Sequence, residues 1–219
     1  MTSFNELRNL LCGSFFTDIN RHNSSYLCAI LCISELETHA NTYKEIKNMK
    51  SCAFTGHRPQ NLPFGFREDD ERCTALKETL KKQIISLITD ENVTHFISGM
   101  ALGVDMYAAE IVLELKKTYP GITLESAIPC ETQAAKWNAA MRERYYGIAA
   151  QCDKETLLQT HYTPDCMDKR NRYMVDHADY IIAVWDGKPS GTGKTVMYAQ
   201  SKGKVIIKVN PATLTVERL

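Results

Sequence analysis

The sequence predicts an α/β fold, a doubly wound and mostly parallel sheet of about six strands with helices on both faces. Three observations predict it. Short β-rich apolar runs alternate along the chain with longer segments of helical period. In the longest helical segment Leu76, Leu80, Ile84, Leu87 and Ile88 recur at spacings of three and four, which gives one apolar stripe to lay on a sheet. At 219 residues the chain holds one sizeable domain and a short extension. Right-handed crossovers between parallel strands then make the expected domain Rossmann-like.

Taken in order, residues 1–50 read as an N-terminal extension with an apolar helix-like stretch over 24–40, packing on the main domain or on a partner. The regular pattern starts at 51-SCAFT-55 and continues with strands at 94-THFIS-98, 123-TLESAI-128, 156-TLLQT-160, 180-YIIAVW-185 and 204-KVIIKV-209. Helices are expected over 68–90, 103–118, 132–151, 167–177 and 193–202, and 211–219 reads as a C-terminal tail. The domain is therefore expected over 51–210.

Composition narrows the function classes. Twenty-six basic and 26 acidic residues balance, so no global field draws in nucleic acid, and nucleic acid is not expected as a partner. The apolar run 26-YLCAILCI-33 is too short to span a bilayer and has no basic segment before it, so a cytoplasmic protein without a membrane partner is expected. The eight cysteines are scattered and lack zinc-site spacing, which fits reduced thiols and no metal.

In an open parallel sheet, ligands bind beyond the carboxyl ends of the strands, so the residues that follow each strand are the candidates. After the first strand, 55-TGHRP-59 offers Gly56 for close approach of a ligand, His57, and Arg58, which either pairs with phosphate or carboxylate or stands free in solvent. After the second, 98-SGMALGVD-105 runs through Ser98, Gly99 and Gly103 straight into a helix, a tight turn whose free N–H groups face the crevice. Asp105 in its first turn either steadies the helix start or holds a ribose hydroxyl. After the third, Glu131 and Gln133 are placed to read a base or sugar edge and Trp137 to stack on a ring, unless this is a plain helix start with a core tryptophan.

After the fifth strand comes 185-WDGKPSGTGKT-195, within one residue of an ATP-binding P-loop. Lys188 stands where the opening glycine belongs, and the motif sits at a late strand. Mg-ATP hydrolysis is not expected. Ser190, Gly191, Thr192 and Thr195 instead form a small-residue loop entering a helix, a phosphate site without a dedicated metal. Arg170 and Asn171, at the start of the preceding helix, are either a solvated face or partners of that loop.

Together 52-CAFTGHRP-59, 98-SGMALGVD-105, 129-PCETQAAKW-137, 168-DKRNRYMVDHADYIIAVWDG-187 and 190-SGTGKTVMYAQSKGK-204 resemble the YpsA-like branch of the SLOG superfamily, which also contains the Lonely Guy phosphoribohydrolases and DNA-processing protein A. The resemblance spans roughly residues 51–210. It implies a Rossmann-like domain that binds a nucleotide or nucleotide-derived ligand such as NAD, ADP-ribose or a nucleoside phosphate, with no obligatory cofactor. It further implies that ligand state is signalled to a protein partner or a second subunit.

By the same resemblance, Arg170 and Asn171 line the phosphate side, and Gly56, Arg58, Ser98, Gly99, Gly103 and Asp105 line the middle of the crevice. Glu131, Gln133 and Trp137 then stand at the base or sugar end. Where this branch usually has Gly-Gly-Thr, the sequence has Ser190-Gly191-Thr192. The enzyme subfamily's signature ends in a glutamate that assists N-glycosidic cleavage, but 193-GKTVMYAQ-200 carries no carboxylate. Glu131 and Asp105 remain the acid/base candidates for a nucleotide hydrolase, and single-stranded DNA binding is a third alternative.

Overall fold

The computed structural model describes residues 49–219. The expected N-terminal extension, including the stretch 24–40, lies outside the described residues apart from its last two positions. The described unit is one parallel sheet with helices on both faces, in the strand order β4-β3-β2-β1-β5-β6-β7. Its strands are β1 (Lys50–Gly56), β2 (Val93–Ser98), β3 (Thr123–Ile128), β4 (Lys154–Leu157), β5 (Tyr180–Val184), β6 (Val205–Val209) and β7 (Val216–Arg218). Six are parallel, and β7 runs antiparallel beside β6. The helices are α1 (Glu71–Glu91), α2 (Val104–Leu115), α3 (Ala139–Ala149), α4 (Cys166–Asp176) and α5 (Gly191–Ser201).

The alternation of residues along each strand divides the core into two layers. On one face Phe54 and Phe96 stack with centroids 5.9 Å apart and meet the stripe Leu76, Leu80, Ile84 and Leu87 of α1, together with α2 and α3. On the other face Ala53, Ile97, Ala127 and Ala183 pack against Val196 and Ala199 of α5 and Met174 and Val175 of α4. The small strand residues let α4 and α5 lie close to the sheet. That closeness brings the α4 side chains within reach of the loops at the strand ends.

Helix boundaries follow local capping. Asp70 accepts from Arg72 N at 2.9 Å to start α1, and Asn92, in the left-handed conformation at φ 56°, ends it with its N–H on Leu87 O. The helix expected from residue 132 begins only at Ala139. Asn138 is its cap, accepting from Met141 N at 2.9 Å, and 131–137 is a run of turns held by Gln133 N to Cys130 O and Trp137 N to Ala134 O.

The fourth strand lies at 154–157 rather than 156–160, and the chemistry of Glu125 accounts for the shift. This carboxylate is 1% exposed and accepts from His95 Nε2 (3.0 Å), Lys154 Nζ (3.0 Å), Thr156 Oγ1 (2.7 Å) and Tyr173 Oη (2.7 Å). Burial alone would raise its pKa, but these donors together hold it far below the ordinary range. Two of the four donors come from β4, so the edge strand is registered by a polar contact. Within the segment expected as a tail, β7 completes a seven-stranded sheet, and Arg218 Nη2 reaches Glu91 Oε1 at 2.6 Å.

Candidate functional site

β1 and β5 are neighbours, and the loops that leave them lead to helices on opposite faces, α1 on one and α5 on the other. This is the point at which an open α/β sheet leaves a crevice beyond its carboxyl edge. The turns after β1, β2, β3 and β5 all border it.

The first two turns are locked together by glycines. A Cβ on Gly56 would lie 2.5 Å from Val104 Cβ, so the end of β1 sits directly on the first residue of α2. Gly103 has φ 93°, and a Cβ there would lie 2.8 Å from His57 O. His57 is 4% exposed, and its Nε2 is 3.1 Å from Asp186 Oδ1, which ties the loop after β1 to the loop after β5. Asp186 Oδ1 also accepts from Lys188 N at 3.1 Å. Arg58 is exposed at the rim, and its charge bears on both Asp105 and Arg170.

After β2, Ser98 Oγ donates to Asp105 O at 2.8 Å and accepts from Met100 N at 3.1 Å, which folds the turn back on the start of α2. Across this turn lies Arg170 of α4. Its Nη1 donates to Gly99 O and stands 3.5 Å from Asp105 Oδ2, and a Cβ on Gly99 would fall on the guanidinium. Arg170 is 4% exposed and Asp105 is 7% exposed. Burial pushes the Asp105 carboxyl up, opposed by Arg170, by the Ala101 N–H and by Arg58. Burial also disfavours the charge on Arg170, yet a guanidinium stays protonated at any ordinary pH. The pair is therefore a buried cation that a single carboxylate at 3.5 Å only partly neutralises, and Nη2 has no hydrogen-bond partner among the described residues.

The third turn joins the same assembly. Gln133 Nε2 donates to Gly99 O at 3.2 Å and to Met100 O at 2.7 Å. Glu131 is exposed, with its N–H on Thr160 O at 3.3 Å. Trp137 meets Tyr145 edge-on at 5.5 Å and packs against the core.

The loop after β5 is the remaining wall. Ser190 Oγ accepts from Gly193 N at 3.0 Å, and Trp185 Nε1 donates to Lys188 O at 2.7 Å. Ser190 has φ −166°, an extended conformation open to any residue, so the position that a Gly-Gly-Thr loop fills with glycine accepts a serine without strain. The N–H groups of Gly191 and Thr192 have no partner among the described residues, and they sit at the positive end of α5. Asn171 bridges this loop to Arg170, because its Oδ1 accepts from Arg170 Nε at 2.9 Å and its Nδ2 donates to Thr195 Oγ1 at 3.1 Å. Thr195 Oγ1 in turn donates to Gly191 O at 3.1 Å. From this loop a groove of about 180 Å³ runs between α4 and α5, lined by Asn171, Arg172, Lys194, Met197 and Tyr198 among others.

One hydrogen-bonded chain thus runs Gln133–Gly99–Arg170–Asn171–Thr195–Gly191 and connects three of the strand-end turns. Its chemistry is that of anion capture, a buried guanidinium beside two helix N-termini. The two carboxylates singled out in the sequence differ in placement, with Asp105 beside Arg170 and Glu131 out at the mouth. Among the described residues no three His, Cys, Asp or Glu side chains are grouped to hold a metal ion. Asp186, two residues beyond the end of β5, gives no signal in the sequence as a partner of His57, because the two lie 129 positions apart. Of the groove residues, Lys194 stands at the lysine position of the near-P-loop 190-SGTGKT-195 and Arg172 follows Arg170 and Asn171 at the helix start, whereas Tyr198 carried no sequence signal beyond a helical surface.

The serine at the loop supports a direct test. Ser190→Ala removes the cap and is expected to cost about 1 kcal/mol, whereas Ser190→Gly costs only a few tenths. Both variants release the Gly193 N–H toward a bound anion, so the affinity of each for inorganic phosphate should rise above that of the wild type, while the urea midpoint of the glycine variant barely moves. Phosphate titrations in which neither variant binds more tightly than the wild type would remove that role of the loop.

Comparison with known proteins adds the following. Residues 52–218 match the model of the YpsA family, described as the YspA SLOG family. A UPF0398 protein of Bacillus pumilus is 33% identical over 148 residues, covering 67% of this chain and 78% of its own. The UPF0398 protein YpsA of Bacillus subtilis is 27% identical over 156 residues, 70% of this chain and 86% of its own. Among solved structures, DNA processing protein A of Streptococcus pneumoniae aligns with a TM-score of 0.51 at 18% identity over 76% of this chain, which spans 52% of that protein. DNA processing protein A of Helicobacter pylori aligns with a TM-score of 0.52 at 17% identity, covering 80% of this chain and 71% of that one. These two likenesses establish a shared fold. No helix among the described residues is long and apolar enough to cross a membrane.

Proposed function

The chain belongs to the YpsA family of SLOG proteins, and on that footing we propose that it is a cytoplasmic protein that binds the phosphate of a nucleotide or nucleotide-derived ligand, such as NAD, ADP-ribose or a nucleoside phosphate. Ligand state would pass to a protein partner or a second copy of the chain. The observation that carries this reading is Arg170, a buried guanidinium whose Nη2 is unengaged among the described residues, tied through Gly99 to the turn before α2 and through Asn171 to the start of α5. A phosphate there meets a charge already desolvated and N–H groups already oriented, so little reorganisation opposes binding. No step needs a metal ion.

The test is a thermal-shift panel on the full chain with NAD, ADP-ribose, AMP, ATP and cyclic nucleotides, each with and without Mg²⁺. A ligand present at 100 times its Kd stabilises the native state by about 2.7 kcal/mol, so at least one compound should raise Tm by several degrees, indifferent to Mg²⁺. A panel without any shift would sink the reading. A shift confined to Mg-ATP would replace it with a P-loop.

A second reading has two observations behind it. The Helicobacter pylori structure that shares the fold is described by its single-stranded DNA binding mode, and Arg58, Lys188, Lys194 and Arg172 are exposed around the crevice. This sets aside the expectation from neutral net charge alone, since a local patch suffices for a single strand. An oligonucleotide gel shift that weakens steeply with salt would favour this reading over the first.

A further inference from the structure

We infer that Gln133 reads a ribose hydroxyl and that the crevice selects an intact ribose 5′-phosphate unit over its deoxy counterparts; this rests on the phosphate-binding reading above. Three buried side-chain polar atoms have no hydrogen-bond partner among the described residues, Thr94 Oγ1, Tyr107 Oη and Gln133 Oε1, and only the last belongs to the crevice. Its amide cannot be turned round. Nε2 donates to two carbonyls, Gly99 O at 3.2 Å and Met100 O at 2.7 Å, and a flipped amide would set its oxygen against both. Gln133 is 9% exposed. Its Oε1 is therefore a buried acceptor left without a donor, an arrangement folds seldom keep unless something else supplies the donor.

The position of that acceptor defines the donor. Gly99 O accepts from both Gln133 Nε2 and Arg170 Nη1. Two N–H···O bonds of about 3 Å meeting at one oxygen place the two nitrogens no more than about 6 Å apart. A ligand whose phosphate lies on Arg170 therefore presents to Gln133 whatever sits one sugar ring away, and on a ribose 5′-phosphate that is a hydroxyl. The exocyclic amine of an adenine is a whole sugar further from its own 5′-phosphate and falls outside this reach. Oε1 is closed to solvent in the unliganded structure. The interaction pairs two groups that are otherwise unmatched, which is the condition under which a missing hydroxyl is rejected strongly.

The experiment is calorimetric titration of the full chain with AMP, 2′-deoxy-AMP, 3′-deoxy-AMP, ribose 5-phosphate and inorganic phosphate, repeated on Gln133→Met. The expected result is that removal of one of the two hydroxyls weakens binding about 10- to 100-fold in the wild type. The same comparison in Gln133→Met should shrink to within about 2-fold. Binding of ribose 5-phosphate comparable with AMP assigns the ligand to sugar phosphates generally, and binding of AMP alone assigns it to nucleotides. If AMP binds and both deoxy forms bind equally well, the role of Gln133 is overturned while the phosphate reading survives. If neither AMP, ribose 5-phosphate nor phosphate binds, both fall. The wild-type comparison stands even if the methionine variant misfolds.

Discussion

Arg170→Met is expected to destabilise the domain by about 3–5 kcal/mol at pH 8, the range found when one partner of a buried ion pair is removed, and by distinctly less at pH 5. The sign follows from Asp105. Burial holds its folded pKa above the ordinary value of 3.8, with Arg170 opposing that rise at 3.5 Å and Arg58 opposing it from the rim. A carboxyl raised in this way contributes stability below its unfolded pKa, and that contribution is lost as pH climbs through the folded pKa. Without Arg170 the folded pKa rises further, so the loss extends to higher pH. As pH falls the carboxyl is more readily protonated, and less of it remains as a buried, uncompensated charge.

Urea unfolding of wild type and variant at the two pH values measures this difference. The double variant Arg170→Met/Asp105→Asn should recover part of the loss and remove its pH dependence. Equal destabilisation at both pH values would mean that Arg170 acts through packing and that the charge pair is incidental. The same variant should abolish the thermal shift of any phosphate ligand, because it deletes the only buried cation described at the crevice.

Gly103→Ala should be the most damaging of the glycine substitutions, on the order of 3–5 kcal/mol, or a fall in Tm of about 10 °C for a domain of this size. Two costs add. At φ 93° and ψ −129° the backbone lies where residues with a Cβ are strained, and the new methyl would lie 2.8 Å from His57 O and 3.0 Å from Pro59 Cδ. A backbone carbonyl and a proline ring cannot rotate aside as a long side chain would. Gly147→Ala is the matched control, since that glycine lies inside α3 with nothing within 4 Å of the added Cβ and should gain about 0.5–1 kcal/mol. Differential scanning calorimetry of both variants decides the matter. A Gly103→Ala protein melting within two or three degrees of wild type would show that the turn between β2 and α2 yields more than its geometry suggests.

Much of this architecture was legible in the chain, and the misses have identifiable causes. The apolar runs of β1, β2, β3, β5 and β6 stand out because both faces of a central parallel strand are buried. β4 is an exposed edge strand of sequence KETL, positioned by the carboxylate of Glu125, and apolar pattern does not report a polar register. β7 escaped for the same reason, being three exposed residues at the far edge. The start of α3 was placed too early because 132–137 has helical composition, whereas Asn138 supplies the cap that decides where the helix begins.

The sequence by itself determined the alternation of strands and helices, the family, and the glycine turns at the strand ends, because these depend on local backbone preference and side-chain period. Only the tertiary structure decided that Arg170 lies across Gly99 and within reach of Asp105, that Asn171 joins it to Thr195, that Asp186 meets His57, and that Gln133 is left with an unmatched acceptor. Those contacts join residues 24 to 129 positions apart. Their partners are chosen by the order in which strands pair and by how closely α4 settles on a sheet face of small residues, and neither is written in any one segment of the chain.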